Sequence, residues 1–183
     1  GIRQGDRVAL ALPNGIDLVL ILMGLLRLGA VACPVSTRLP LSGVQKCLQK
    51  VGARFLVAGG KQLRDLKATI LTPRQVLSGS QEKFPVDGRI SLQQHATILF
   101  SSGSTGEPKA ILHSLGNHYY NALGSNENIR FEPGDRWLLS LPLYHVGGLS
   151  ILFRSMLGGG AVVIPDIRDS MAAIIRRDGI THV

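Results

Sequence analysis

The chain has few of the residues that mark extracellular scaffolds, metal knuckles or membrane spans. It holds two cysteines, Cys33 and Cys47, in 183 residues, too few and too far apart for a disulfide framework or a zinc knuckle. The longest apolar run, from Leu18 to Leu26, is well short of the roughly 20 residues that cross a bilayer. No charged segment followed by a cleavage site opens the chain. These absences predict a reducing, cytoplasmic location and no membrane span.

Acidic residues are also scarce, since 12 Asp and Glu stand against 20 Lys and Arg, a formal net charge of +8. Such an excess is typical of proteins that bind nucleic acid, anionic membranes or small anions. The basic residues are scattered, however, and Arg176 and Arg177 are their only adjacent pair. Without a basic stripe interleaved with aromatic residues, nucleic-acid binding is not expected. A solvated basic surface or a site for small anions, such as nucleotide phosphates, remains open.

Short apolar strands alternate with helical segments along most of the chain, and 45% of its residues are hydrophobic, enough for one core. Asn14 is the expected N-cap of the first helix, which runs to about residue 28. Gly29 and Gly52 stand where glycines would end the first and second helices. This alternation predicts an α/β fold with layered, mostly parallel sheets flanked by helices. Strands are predicted at 7–12, 30–35, 54–58, 96–100, 109–113, 137–141 and 161–164, with another beginning at 181, and further helices at 41–51, 114–128, 148–157 and 170–178.

Residues 59–94 interrupt this pattern with Gln, Lys, Ser, Gly and Pro and only weak periodicity. We expect a surface crossing with at most one helix there. The chain would then be one partial domain, 1–183, made of a first βαβ portion (1–58), a polar joint (59–94) and a third portion (95–183). Because the alternation is still running at the last residues, we expect a fragment of a larger domain.

A loop rich in small polar residues, S-S-G-S-T-G-E-P-K from Ser101 to Lys109, follows the apolar strand predicted at 96–100. Glycines let a backbone approach a ligand closely, and converging amides and hydroxyls can donate to phosphate oxygens. A flexible linker would explain neither the strand before the loop nor the Pro-Lys that ends it. We therefore interpret the loop as a phosphate cradle whose donors are Ser101, Ser102, Gly103, Ser104, Thr105, Gly106 and Lys109.

Other catalytic motifs fail on spacing. The loop is not a Walker A motif, because two residues separate Gly106 from Lys109 and no Ser or Thr follows the lysine. It is not a nucleophile elbow, because G-S-T-G is one residue short of G-x-S-x-G. A Ser-x-x-Lys pair would need serine where Gly106 stands. His113 and His118 are five residues apart, off the i, i+4 face of a helical metal site, so no metal ligands are predicted.

The phosphate loop resembles the signature of the adenylate-forming enzymes, the superfamily of acyl- and aryl-CoA synthetases, luciferases and peptide-synthetase adenylation domains. P-L-Y-H-V-G-G at 142–148 is similar to the P-[LM]-[FY]-H-x-x-G segment of that superfamily. G-D-R-V-A-L at 5–10 and L-G-A-V at 28–31 resemble its opening βαβ unit. The resemblance covers essentially the whole chain. It implies part of a large N-terminal AMP-binding domain, with the C-terminal domain absent.

The resemblance implies an AMP-forming ligase that uses ATP, Mg²⁺, CoA and a small carboxylic acid. The acid attacks the α-phosphate of ATP with loss of pyrophosphate, and the thiol of CoA then displaces AMP. Thr105 and Lys109 would stabilise the charge that develops on the phosphates. His145 would orient the acid in a pocket that Gly147 also lines. The carboxylate that usually holds Mg²⁺ is expected beyond the end of this chain.

Within the superfamily, H-S-L-G-N-H-Y-Y at 113–120, D-R-W-L at 135–138 and the segment from His145 to Arg154 most resemble the o-succinylbenzoate–CoA ligases of menaquinone and phylloquinone synthesis. Arg154 lies in the otherwise apolar run S-I-L-F-R-S-M-L, where a cation requires a partner. It either binds the second carboxylate of a dicarboxylic substrate or lies exposed on a helix. His118, Tyr119 and Tyr120 either pack in the core or help to shape the pocket.

Alternative functions remain open. One is a catalytically silent phosphate-binding or scaffold module, and another is a different aryl- or fatty-acyl-CoA synthetase. Amino-acid adenylation is disfavoured, because Tyr144 and His145 stand where an aspartate would meet the ammonium group. The motifs for adenine, ribose, metal and the C-terminal lysine have no counterpart here, so we expect the chain alone to be inactive. Whether the full-length protein is a homo-oligomer is left open.

Overall fold

The computed structural model describes residues 1–59, 66–79, 90–102, 108–165 and 170–183. They form two compact units, Gly1–Leu115 and Gly116–Val183, while the boundaries predicted at 58 and 94 stay a prediction. The described elements are β1 (Arg7–Ala11), α1 (Ile16–Leu28), β2 (Val31–Pro34), α2 (Leu41–Val51), β3 (Phe55–Ala58), β4 (Thr69–Leu71), α3 (Pro73–Leu77), β5 (His95–Ser102), β6 (Pro108–Ser114), α4 (Leu115–Asn128), β7 (Arg136–Leu138), α5 (Val146–Gly158), β8 (Ala161–Val163) and α6 (Met171–Asp178).

The first unit is built on a six-stranded sheet in the order β4-β3-β1-β2-β5-β6. Neighbouring strands from β4 to β5 are parallel, and β6 alone runs antiparallel, against β5. β1 lies between β2 and β3, with Ala9 opposite Cys33 on one side and Leu56 on the other. The α/β class with a mostly parallel sheet, predicted from the alternation, is confirmed.

Both faces of this sheet are covered. β2 lies on one side of β1 and β3 on the other, so right-handed crossovers place α1 and α2 on opposite faces. α2 packs Cys47 and Leu48 in one core cluster with Ala9. The neighbours of Ala9 along β1, Val8 and Leu10, point to the opposite face and are also buried. Strands buried on both faces explain the continuous apolar runs of the sequence.

Glycines end the first two helices as predicted. Gly29 follows α1 with φ of 76° and Gly52 follows α2 with φ of 62°, the left-handed conformation that glycine adopts without a Cβ clash. The start of α1 differs from the prediction. Gly15, not Asn14, is the N-cap residue.

The second unit contains a parallel pair, β7 and β8, with Trp137 opposite Val162. The strand predicted at 137–141 is shorter, and the one predicted from 181 is present as an isolated bridge between Trp137 and His182. The glycine turn before β8 packs closely on Phe131, because a Cβ on Gly158 would lie 2.3 Å from the Phe131 carbonyl oxygen.

No helix in the described part of the chain is long and apolar enough to cross a membrane.

Candidate functional site

The two strands that flank the predicted phosphate loop form an antiparallel hairpin. Ser101 at the end of β5 is opposite Lys109 at the start of β6, and Ser102 is opposite Pro108. Side chains of directly opposed residues project from the same face of a sheet. The hydroxyl of Ser101 and the ammonium of Lys109 therefore share one face, and both residues are exposed. The predicted donors Gly103, Ser104, Thr105 and Gly106 lie outside the described residues, and Ser102 is described by its backbone alone.

The hairpin leaves the sheet at the edge where ligands of open α/β sheets bind. β5 runs parallel to β2, so its last residue, Ser102, is at the carboxyl ends of the parallel strands. Ligands of such sheets bind outside those ends. β5 is anchored there by the buried residues Ile98 and Leu99. The strand prediction therefore put the loop in the right structural context, although the antiparallel pairing of β6 was not foreseen.

The second predicted segment, residues 142–148, leads into α5. His145 is the N-cap residue of this helix, in an extended conformation. Its amide donates to the Pro142 carbonyl at 3.0 Å, and its carbonyl accepts from Leu149 at 3.2 Å. The imidazole is exposed and lies beside the Tyr144 ring, with centroids 4.6 Å apart. Within the described part of the chain no group hydrogen-bonds to this imidazole, so both ring nitrogens are available to a ligand.

The last glycine of this segment has a packing role. A Cβ on Gly148 would lie 2.3 Å from the Pro142 carbonyl oxygen and 2.8 Å from that of Leu141, and neither backbone group can move aside easily. A Cβ on Gly147 would meet only the Cδ1 of Leu141, at 3.0 Å. Gly148 therefore lets the first turn of α5 pack on the segment that precedes it. Gly147, a predicted substrate residue, offers a ligand only its main chain.

Arg154, further along α5, is half-buried and does not lie exposed on the helix. Its guanidinium carbon is 5.3 Å from the centroid of the Trp137 ring, within the range of a cation–π interaction. Its Nε is buried and has no hydrogen-bond partner among the described residues. Burial lowers the pKa of the Arg154 side chain, because desolvation disfavours the charged form. A half-buried cation with no carboxylate partner in the described part of the chain is a candidate binding group for an anionic ligand.

Contacts between α4 and α5 hold the helix that carries Arg154. The rings of His118 and Phe153 stack, and Ser150 Oγ donates to Asn121 Oδ1 at 3.1 Å. Asn126 Nδ2 donates to the main-chain carbonyl of Arg154 at 3.3 Å. Sequence reasoning did not single out either asparagine, because helical spacing shows which residues share a face but not what they meet.

The aromatic run on α4 divides between core and surface. His118 is 4% exposed and packs in the core, whereas Tyr119 and Tyr120 are 38% and 63% exposed. Of the two alternatives left open for these residues, core packing therefore holds for His118 and not for the two tyrosines. Trp137 is 5% exposed and lies in the core, and its contact with Arg154 was not foreseen.

The structure does not bring His145 and Arg154 into contact. His145 is the N-cap residue of α5, and Arg154 lies nine residues further along the helix. At 1.5 Å per residue, their main chains are about 13 Å apart along the helix axis. Ser101 and Lys109 belong to the other compact unit. Among the described residues, no three His, Cys, Asp or Glu side chains are grouped so as to hold a metal ion.

Comparisons with known proteins agree with one another. The profile of the AMP-binding enzyme family matches residues 1–183. The chain is 32% identical over 165 residues to a 2-succinylbenzoate–CoA ligase of Bacillus cereus. The aligned residues cover 90% of this chain and 34% of that protein. It thus spans about a third of the length of the curated relatives it matches.

The similarity extends to solved structures. With a TM-score of 0.89 and 29% identity, the chain resembles the o-succinylbenzoate CoA synthetase of Bacillus subtilis in complex with its acyl-adenylate intermediate, over 99% of this chain and 49% of that one. For the same synthetase in complex with ATP and magnesium ion, the TM-score is 0.88 at 28% identity, over 99% of this chain and 50% of that one.

Proposed function

This chain belongs to the AMP-binding enzyme family, and we propose that the whole protein is an ATP-dependent acid–thiol ligase acting on o-succinylbenzoate. It would form the CoA thioester through an acyl-adenylate. The names of its relatives support this proposal, and so does its similarity to a synthetase in complex with an acyl-adenylate. A role in menaquinone synthesis, in the cytoplasm, is part of the same proposal.

The observation that carries the proposal is the β5–β6 hairpin. It sets the hydroxyl of Ser101 and the ammonium of Lys109 on one face, on either side of residues 103–107. A triphosphate needs several donors and a cation together. The remaining proposed donors are the backbone amides and hydroxyls of the loop: Ser102, Gly103, Ser104, Thr105 and Gly106.

In the proposed first half-reaction, a carboxylate oxygen of the acid attacks the α-phosphorus of ATP, the bond to the β-phosphate breaks, and pyrophosphate leaves. Negative charge develops on the phosphate oxygens, and donors already in place lower the barrier without reorganising. We assign the largest contributions to Thr105 and Lys109. Mg²⁺ is included as the counter-ion of the triphosphate, and we assign it to no residue of this chain.

In the proposed second half-reaction, the sulfur of CoA attacks the acyl carbon of the adenylate and AMP leaves. The acid must stay oriented through both steps, and we assign this role to His145, with Gly147 lining the same pocket. The exposed imidazole supports that assignment, because neither ring nitrogen is engaged within the described part of the chain. The imidazole can therefore donate to, or accept from, the bound acid.

Substrate choice is assigned to Arg154. A partly desolvated cation without an anion is unfavourable, and no described carboxylate pairs with this guanidinium, whose Nε also lacks a partner. A second carboxylate on the acid would offset that cost through planar, charge-assisted hydrogen bonds. This supports a dicarboxylic aromatic acid over a monocarboxylic one.

The experiment that tests the proposal supplies the full-length protein with ATP, Mg²⁺, CoA and either o-succinylbenzoate, benzoate or a fatty acid. Release of AMP and formation of the thioester are measured for each acid. We expect thioester from o-succinylbenzoate at low concentration and little from the others. AMP release with monocarboxylic acids alone would indicate another acyl-CoA synthetase, and none with any acid would indicate a silent module. We expect the 183-residue chain alone to be inactive.

A further inference from the structure

We propose that Trp137 is a positioning residue for Arg154, whose guanidinium it holds in the orientation that receives the second carboxylate of the acid. This inference rests on the proposed function, because it concerns how Arg154 is presented to the substrate. It adds a residue from a different element of the second unit, since Trp137 is on β7 and Arg154 is on α5.

The two side chains meet on a buried indole. Trp137 is 5% exposed, and the guanidinium carbon of Arg154 lies 5.3 Å from its ring centroid. Cation–π attraction is strongest for Trp and increases when the pair is removed from water. Because no described carboxylate pairs with Arg154, the indole is the partner that orients its guanidinium. A guanidinium over an aromatic face keeps N–H groups in its plane for an acceptor, and the Nε of Arg154 is one such unpartnered donor.

The indole is itself held in place by two other rings. Phe131 lies 5.4 Å and His182 lies 5.0 Å from Trp137, measured between ring centroids. The His182 ring is fixed in turn, with Nδ1 2.7 Å from Thr181 Oγ1 and Nε2 3.0 Å from the carbonyl oxygen of Arg130. Trp137 is therefore a rigid surface on which the arginine side chain rests.

The other end of the arginine is also restrained, because Asn126 Nδ2 donates to the Arg154 main-chain carbonyl. Arginine is long and flexible, so a free guanidinium would lose much rotamer freedom when it bound a ligand. Holding it beforehand reduces that loss. The consequence should be confined to the dicarboxylic acid, because neither ATP nor a monocarboxylic acid is assigned to this arginine.

A double-mutant cycle in the full-length enzyme tests the inference. The variants are Trp137→Leu, Trp137→Phe, Arg154→Ala and the double variant Trp137→Leu/Arg154→Ala. The measurements are kcat and KM for o-succinylbenzoate, for a 2-acylbenzoate that lacks the second carboxylate, and for ATP. We expect Trp137→Leu to raise the KM for o-succinylbenzoate about tenfold, with the other two KM values within about twofold. Trp137→Phe, which keeps an aromatic face, should recover most of the loss.

The coupling between the Trp137 and Arg154 substitutions distinguishes a positioning role for Trp137 from a packing role. In the Arg154→Ala background, Trp137→Leu should leave the preference for the dicarboxylic acid unchanged, because the group it positions is gone. An equal effect in both backgrounds would mean that Trp137 only packs, and would overturn the inference. If Arg154→Ala alone leaves the preference unchanged, the assignment of Arg154 fails instead, so the two failures are distinguishable.

A second measurement covers the case in which Trp137→Leu does not fold. Fluorinated tryptophans incorporated at position 137 keep the shape of the indole while weakening the negative potential of its face. We expect the KM for o-succinylbenzoate to rise stepwise with the number of fluorines. A KM for o-succinylbenzoate that does not change with the number of fluorines, at an unchanged melting temperature, would overturn the inference.

Discussion

His118 and Phe153 stack face to face, with ring centroids 4.3 Å apart and ring planes within 3° of parallel. The contact joins α4 to the residue that immediately precedes Arg154. The proposed specificity of the enzyme therefore depends on side chains that the substrate does not touch, because the packing of α4 on α5 determines where Arg154 is presented.

Replacing Phe153 with alanine should destabilise the second unit. Phe153 is 9% exposed, and truncating a buried phenylalanine typically costs 3–5 kcal/mol, so we expect a loss of about 3 kcal/mol. Urea unfolding followed by tryptophan fluorescence measures it, since Trp137 is the only tryptophan of the chain. Tyr120→Ala, on α4, the helix that carries His118, is 63% exposed. It is the control and should change the free energy of unfolding by less than about 0.5 kcal/mol. Similar losses in the two variants would contradict the core role of the stacked pair.

The two adjacent glycines of the pocket segment should respond differently to alanine. Gly148→Ala places a methyl group against the carbonyl oxygens of Pro142 and Leu141, and such overpacking should cost about 1–3 kcal/mol. Gly147→Ala meets only the flexible Leu141 side chain and should cost less than about 1 kcal/mol. Urea unfolding of both variants checks this. A larger loss of stability in Gly147→Ala than in Gly148→Ala would contradict the packing role of Gly148.

The buried thiol of Cys33 should make stability depend on alkaline pH. Burial raises the pKa of Cys33 to about 12, whereas an unfolded cysteine has a pKa of about 8.5. Above that pH the unfolded chain loses this proton while the folded chain keeps it, so stability falls as the pH rises towards 12. Between pH 8 and pH 10, the free energy of unfolding should fall by about 2 kcal/mol more in the wild type than in Cys33→Ala. Parallel pH profiles for the wild type and the variant would contradict the shift.

Much of the fold could be predicted from local signals. α1 and α2 were located by their helical periodicity and by Gly29 and Gly52, and β1 by an apolar run. β4, Thr69–Leu71, was missed because it has three residues, is only partly buried and lies within a polar stretch. Its backbone pairing with β3 makes this segment a strand, although its local sequence does not predict one.

The candidate site was predictable only in part. The loop could be proposed from its residue types and spacing, and the His145 segment from its resemblance to a superfamily motif; both site assignments stay predictions. The Trp137–Arg154 contact joins residues 17 positions apart in different elements, and no periodicity encodes such a pair. Asn14 was wrong as a cap because a suitable residue type does not determine which residue begins the helix.

Arg154→Ala in the full-length enzyme should raise the KM for o-succinylbenzoate about a hundredfold, since removing one member of a buried charge pair costs several kcal/mol. The KM for ATP should stay nearly unchanged. Arg154→Lys should recover only part of the loss, because lysine cannot make the planar two-point contact. Steady-state kinetics with each substrate varied in turn decide this. Lower stability with unchanged substrate preference would make Arg154 a structural residue.

The phosphate-binding role of Lys109 is tested by measuring the two half-reactions separately in the full-length enzyme, for the wild type and for Lys109→Ala. Pyrophosphate release reports adenylation, and thioester formation from supplied o-succinylbenzoyl-adenylate reports the second step. We expect adenylation to fall by about two to three orders of magnitude and the second step to change by less than about threefold, because the triphosphate has already left. Lys50→Ala, an exposed lysine on α2, should change neither rate. An equal loss in both half-reactions would contradict a phosphate-binding role for Lys109 and for the loop it closes.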